Sequence, residues 1–411
     1  MSPLPAGDLA GTDLDGVDLA DPRLYGRGEP HAVWQALRDH RPVHWQPVAG
    51  RGGFWAVTRY ADAEQVLTDH ATFTSTRGVF LNMLGRDEPA SDQQFAASDP
   101  PRHGRIRRPV QRELTVRAVA RHTESLRADI VRLLAPALDG GTFDLTEVTG
   151  ALPMAVLGPL LGIPAADWPR LARLVGMSVA EADPGFVLPE GVEATLRRAH
   201  RELFGYLLNL VQAHRREHRG DLVDVLAGTT VDGSPLSAGA VVANCYSLLL
   251  GASAAIPHVP NGALLELIRT GRYAAWADRP ELLESGIEEA LRWTAPARHF
   301  LRCATRDTRI GGVPVAAGDA VVVWIGAANR DERIFPDPHV FDLSRSPNRH
   351  LSFGDGQHYC VGAPIARLAL RIFFTELFAR FASFELTGEV EYVESNWLGG
   401  IKRMPVRATL R

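Results

Sequence analysis

The sequence predicts a mainly α-helical protein with small β-sheets toward its two ends, on three observations. Between Asp99 and about Ile268 the apolar pattern is almost wholly helical in period. Strand signals lie outside that block: around Val43 and residues 54–57 before it, and over residues 308–323 and from about 387 onward after it. The 411 residues, 45% hydrophobic and 22% charged, supply enough apolar surface for one large buried core.

Residues 1–24 are acidic and rich in Gly and Pro, so they are expected to be flexible, with a single domain over 25–411. They lack a basic start followed by an apolar run, so no secretory signal is expected. No window holds the roughly 18 unbroken apolar residues of a membrane span, and a cytoplasmic protein is expected. A helical stretch, HAVWQALRDH, opens the ordered part at His31. Farther on, Leu126, Ile130, Leu133 and Leu134 share one helical face, as do Phe204, Leu207, Leu208 and Val211. Gly311-Gly312 and Ala317-Gly318 read as turns between strands. Internal repeats and low-complexity linkers are absent. A net charge of -4 gives no reason to expect nucleic acid or an anionic membrane as partner. The three cysteines, Cys245, Cys303 and Cys360, are spaced neither as a metal finger nor as a disulfide framework.

The segment with the most chemistry is HLSFGDGQHYCVGA, from His350 to Ala363, followed by an apolar helical run over 364–374. Gly354 and Gly356 let the backbone turn tightly and lie close to a flat group. Cys360 sits where the helix starts, so backbone N–H groups and the helix dipole favour its thiolate. A lone cysteine before a helix is more often a structural thiol; the frame of Gly and His around this one sets it apart. Phe353-Gly354-x-Gly356-x-His358-x-Cys360-x-Gly362 closely resembles the signature of the cytochrome P450 superfamily, and the resemblance runs from about Tyr25 onward.

That resemblance implies a haem-thiolate monooxygenase of bacterial specialised metabolism. Haem b would lie between a long distal helix and the loop whose Cys360 ligates the iron, with Phe353, Gly354 and Gly362 framing it. Glu289 and Arg292 stand three apart on one helix face; with Arg345 they match the family's charged triad that locks the thiolate loop. Haem propionates need forked or N–H donors at the pocket rim. By family position His103 and Arg107, an i, i+4 pair, together with Arg302 and His350, supply them. Arg102, Arg105, Arg108 and Arg112 crowd the same helix, where the family receives electrons from acidic ferredoxins. The reductant is expected to be a separate ferredoxin with its reductase.

The distal segment departs from the family. Members usually carry Ala/Gly-Gly-x-Asp/Glu-Thr, whose acid and alcohol pass protons to the reacting oxygen. Aligned on Gly251-Ala252, with Ser253 between, those two positions here are Ala254 and Ala255, and neither can pass a proton. Pro257 cannot bond the carbonyl of Ser253, so the helix should kink there and leave that carbonyl to hold water; the alternative is a helix broken for packing alone. Phe80 and Leu81, Ala252 and Ala255, Arg298, His299 and Phe300, and Asn396 with Trp397 are expected to edge the substrate cavity. Arg298 and His299 beside aromatics suggest an aromatic or anionic small molecule, such as an amino-acid derivative or a carrier-tethered acyl group. The alternatives to oxygen insertion are oxidative coupling or ring closure, a peroxide-using variant, and last a haem protein without turnover.

Overall fold

The computed structural model describes residues 14–411, the side chains of Asp139, Ala254 and Ala255 excepted. Helices dominate, as the sequence predicts. The main sheet is five-stranded, in the order Val43–Val48, Gly52–Val57, Ala320–Trp324, His299–Ala304, Phe73–Thr74. Its centre is a run of β-branched residues, Val321, Val322 and Val323, buried on both faces. A second sheet joins Phe381–Leu386, Pro405–Leu410 and the short strand Thr142–Asp144. That last strand is too short to show a period of two in the sequence.

The helical core is one large apolar cluster. Helix Thr123–Leu134 turns Leu126, Ile130 and Leu134 into it, with Leu133 partly buried. In helix Val192–His214 the buried stripe is Ala199, Leu203, Leu207, Leu210 and Val211. Phe204 and Leu208, expected on that face, are exposed instead, because the helix is rotated to put Leu203 and Leu210 inward. The stretch Ala238–Thr270 is long and apolar enough to cross a bilayer by length and composition, a correction to the expectation drawn from unbroken apolar runs. It serves here as a core helix: 56% of its most apolar window is buried, against Leu152–Leu157, Trp168–Val179 and Val192–His214. It divides at Pro257 into helices Ala238–Ala255 and His258–Thr270.

Of the N-terminal segment expected to be flexible, residues 1–13 lie outside the described residues, and residues 14–24 pack on the main sheet. Leu14 and Leu19 are buried beside Trp34 and Trp324. The Tyr25 hydroxyl donates to Leu19 O (2.9 Å), and Leu19 N–H donates to Gln46 Oε1 (3.2 Å). Leu14 and Leu19, with Val17, Ala20 and Leu24 partly buried around them, dock the segment against the sheet.

Helix Leu283–Thr294 carries Glu289 and Arg292, both fully buried. Arg292 grips the carboxylate with two donors, Nη2 to Oε1 (2.7 Å) and Nε to Oε2 (2.8 Å). Arg345 Nε (3.1 Å), Asn348 Nδ2 (3.0 Å) and Asp342 N–H (2.9 Å) also donate to it. The outer guanidinium nitrogens cap carbonyls of the following loop: Arg292 Nη1 those of Asn329 and Pro338 (both 2.9 Å), Arg345 Nη1 that of Pro336 (2.7 Å). Every nitrogen and oxygen of the three charged groups has a partner, which is what a buried charge requires. Glu289→Ala and Arg292→Ala are each expected to cost about 3–5 kcal/mol, since each strands a buried charge. Equilibrium urea unfolding checks this, with the exposed pair Arg279–Glu281 as control; Glu281→Ala should match wild type.

Candidate functional site

Cys360 lies at the end of a loop whose path is set by glycine. Gly354 and Gly356 have φ of +68° and +62°. A Cβ on Gly356 would stand 2.9 Å from Leu67 O and Thr68 Cα, so no other residue fits. The loop closes on itself through Gly354 N–H to Leu351 O and Cys360 N–H to Phe353 O (both 2.8 Å). Its base is tied to the triad: Asn329 accepts from Leu351 N–H (2.8 Å) and donates to Ser352 Oγ (2.9 Å), and Ser352 Oγ donates to Leu291 O (2.7 Å). From there the chain enters helix Ala363–Arg380.

The N–H groups of Gly362 and Ala363 reach the Cys360 sulfur, as a helix start should supply. They do not prevail alone. Burial pushes the thiol up, ahead of those N–H groups and of Arg107 and Arg367. A thiol in this position becomes a thiolate when a cation binds it.

Beside the loop stand two buried guanidiniums, Arg107 and Arg302, with the buried His103 and the half-buried His358, none of them in an ion pair. The His103 ring lies 4.4 Å from the His358 ring. Neither nitrogen of His103 has a hydrogen-bond partner. Arg107 Nη2 donates to Tyr359 O, and Arg302 Nη1 donates only to the carbonyl of Leu301 (2.8 Å). Burial first, then the mutual repulsion of these groups, lowers His103 to about 4 and His358 to about 2, and burial lowers Arg302 to about 10. Two buried guanidiniums beside imidazoles held neutral suit anionic oxygens, which accept from all of them.

The fourth member of this group is His358 and not His350, which corrects the sequence reading. His350 Nε2 donates to Glu288 Oε2 (3.2 Å), and Arg367 holds the same carboxylate with two donors at 2.7 Å. The Gly-rich turn carries His358 over to His103, where Ser75 Oγ meets its Nε2 (3.1 Å). The sequence signal was present, two histidines flanking the glycines; which of them faces His103 depends on the turn.

Across from the loop, Gly251 is exposed in the middle of an apolar core helix, and a Cβ there would meet nothing within 4 Å. Open space therefore lies against this helix. The side chains of Ala254 and Ala255 lie outside the described residues. Ser253 Oγ is buried and has no partner, and Ala252 packs against the main core. The roof of this region is a small apolar cluster from segments distant in sequence: Val179, Ala180, Leu250, Val393, Trp397 and Leu398, with Phe80, Phe186 and Tyr246 against it. Phe80 and Trp397 meet edge to face at 4.6 Å. Phe186, Tyr246 and His200, whose Nε2 meets the Tyr246 hydroxyl (3.3 Å), carried no motif in the sequence.

Five expected cavity residues are committed elsewhere. Arg298 is fully buried, paired with Glu29 (Nη2 to Oε1, 2.7 Å) and capping the carbonyls of Ser395 and Leu398. His299 bonds Asn396 O through Nδ1 and accepts Leu81 N–H at Nε2, both at 3.1 Å; burial above all lowers it to about 3, so it is neutral. The Asn396 side chain donates to Ala20 O (2.7 Å). Leu81 is buried with the sheet's outer face, and Phe300 packs on the cluster beneath the sheet. The reason is shared: the C-terminal hairpin is fastened to strand His299–Ala304 by its polar groups, leaving Trp397 to face the roof cluster.

The residues present fit a flat group that brings a metal for one sulfur and carboxylates for the cation cluster. The unpartnered nitrogens of His103, the lone interaction of Arg302 and the open space at Gly251 are the observations that say so. Glu288 tests the loop's outer anchor by pH. Burial raises its carboxyl, but hydrogen bonds from Arg367 and His350 outweigh that and hold it at about 2, below its ordinary 4.5. Its stabilisation is therefore complete above pH 4.5 and lost as pH falls toward 2. Thermal midpoints followed over that range should fall less steeply in Glu288→Gln than in wild type, and the two curves should run parallel above it.

A family model described as Cytochrome P450 matches residues 264–407. Over 410 residues the chain is 35% identical to "Putative cytochrome P450 126" of Mycobacterium tuberculosis, covering 96% of this chain and 97% of that one. It is 34% identical to "Cytochrome P450 NovI" of Streptomyces niveus, covering 97% and 98%. Among solved structures, P450 OxyD, described as involved in the biosynthesis of vancomycin-type antibiotics, superposes with a TM-score of 0.86 at 31% identity, covering 96% and 100%. Mycobacterium marinum cytochrome P450 CYP268A2 in complex with pseudoionone superposes with a TM-score of 0.88 at 31% identity, covering 95% and 98%. With the fold, the thiolate loop and this likeness over nearly the whole length together, the chain belongs to the cytochrome P450 family, oxidoreductases that carry haem.

Proposed function

We propose that this protein binds haem b through Cys360 and uses dioxygen to oxidise a small molecule of bacterial specialised metabolism in the cytoplasm, drawing electrons from a separate ferredoxin and its reductase. The observation that carries the reading is Cys360 on its glycine loop beside two buried guanidiniums and two imidazoles, none of them in an ion pair. His103, Arg107, Arg302 and His358 hold the propionates, and Phe353, Gly354 and Gly362 shape the loop under the ring. The thiolate-ligated iron supplies the oxidising chemistry by favouring O–O cleavage. The part OxyD has in the biosynthesis of vancomycin-type antibiotics supports the metabolic setting. Arg102, Arg105, Arg108 and Arg112 steer an acidic ferredoxin to the helix beside the loop.

The substrate reading changes with the structure. Arg298 is neutralised by Glu29 and His299 is uncharged, so the grounds for an anionic substrate are gone. What remains around the open space at Gly251 is aromatic and apolar: Phe80, Phe186, Tyr246, Leu250 and Trp397. An aromatic or alicyclic substrate suits it.

Ala254 and Ala255 cannot relay protons, so the substrate's own polar group or ordered water must. Ser253 supports the water route: its hydroxyl is buried without a partner, and Pro257 has no N–H for its carbonyl. The same departure supports a second reading, oxidation by coupling or ring closure without oxygen insertion, or by peroxide. Product mass separates the two: one added oxygen against two lost hydrogens.

Reduced protein with carbon monoxide should show the absorption band that names the family, and Cys360→His should lose it while keeping the fold. If that variant keeps the band, another residue is the ligand. The double variant Ala254→Asp, Ala255→Thr should change the ratio of product to NADH consumed in a ferredoxin-driven assay and relax dependence on a polar group of the substrate. It should also lower stability somewhat, because a carboxylate enters an apolar wall. Turnover with peroxide and none with ferredoxin would shift the conclusion to the second reading.

A further inference from the structure

Among the described residues the buried guanidiniums divide into two sets. Arg38, Arg292, Arg298 and Arg345 each pair with a carboxylate. Arg107, Arg302 and Arg330 are buried and make no ion pair. The first two belong to the cluster beside Cys360. Arg330 does not: its charged neighbours are Arg292, Glu29, Glu289 and Arg38.

We propose that Arg330, together with Arg38 and His31, binds a small inorganic anion in the interior between helix His31–His40 and helix Ile325–Ala328.

Arg330 stacks on Trp293 at 4.6 Å and donates from Nη2 to Trp293 O (2.9 Å). Its Nε and Nη1 have no acceptor. Arg38 donates from Nη1 to Ala327 O (3.1 Å), while its Nη2 has none. His31 Nδ1 and Trp34 Nε1 are likewise buried and unpartnered. His31, Trp34 and Arg38 are spaced i, i+3 and i+7, so they share one face of their helix. That face packs on helix Ile325–Ala328, where the Trp34 ring would stand 2.6 Å from a Cβ on Gly326.

Every one of these orphan atoms is a donor or, for neutral His31, can be one. Burial and the surrounding cations keep His31 well below its ordinary pKa. Among these atoms a water could donate only to a bare nitrogen of neutral His31, whereas an anion accepts from all the guanidinium and indole donors at once. The carboxylates nearby are engaged. Glu29 serves Arg298, and Glu289 serves Arg292 and Arg345. Asp331 bonds Tyr60 N–H and Arg333, and Glu332 is shared between Arg38 (3.4 Å) and Arg333 (3.0 Å). Solvent does not reach the unpartnered atoms, so bulk hydration cannot stand in. Asn329, next in sequence to Arg330, holds Leu351 and Ser352, so an anion here also braces the loop that carries Cys360.

The test uses the holoenzyme as isolated, with bromide as the probe. Crystals of the native protein soaked in bromide should show an anomalous peak bounded by Arg330, Arg38 and His31. At constant ionic strength, replacing gluconate by bromide should raise the thermal midpoint saturably, by about 3 °C at full occupancy. The rise should vanish in Arg330→Gln and persist in part in Arg330→Lys. An empty anomalous map at this position overturns the proposal and leaves Arg330 to Glu29 or to water. An equal rise in Arg330→Gln also overturns it, by showing that bromide acts elsewhere. Both native measurements stand even if the Gln variant does not fold.

Discussion

The buried carboxylate of Glu289 is the constraint on which the rest of this structure hangs. A lone carboxylate at that depth would be driven to protonate or to unfold its surroundings. Here five donors from Arg292, Arg345, Asn348 and Asp342 meet it. Those donors come from a helix and from a loop with no regular structure of its own. Meeting the charge thus fixes the loop over residues 336–348, and the same guanidiniums cap its carbonyls. Asn329 passes the order on to Leu351 and Ser352, and from there the glycine turn delivers Cys360 to its helix start.

Charge balance explains the site as well as the scaffold. On one side of the loop burial raises the Cys360 thiol; beside it burial lowers His103, His358 and Arg302. Both strains run in the same direction, toward losing charge, and both are relieved by a ligand that offers a metal to the sulfur and anionic oxygens to the cations. Glu288 with Arg367 and His350 is a self-contained counterpart farther out: there the carboxylate is supplied by the chain, and nothing is left over. Arg330 has no such supply and no share in the cofactor's charges.

On the distal side the polar residues near the open space have been spent on architecture. Arg298 and His299 fasten the C-terminal hairpin to the main sheet, and Asn396 fastens it to the N-terminal segment. The wall that remains is aromatic, and the helix over it breaks at Pro257. Specificity in such a pocket rests on shape.

Much of this was legible in the sequence because it is local. The helical block, the pairing distance of Glu289 and Arg292, the glycines before Cys360 and the break at Pro257 are all set by backbone geometry within a few residues. What the tertiary structure decided is which partner each side chain takes. Glu29 and Arg298 lie 269 positions apart, His358 and Ser75 283 apart, and no periodicity relates them. The choice of His358 over His350, the rotation that exposes Phe204 and Leu208, and the docking of Leu14 and Leu19 follow from which surfaces meet once helices and sheet pack. Spacing along the chain can say that a cation sits on a helix face. Only the packed interior says whether a carboxylate is there to meet it.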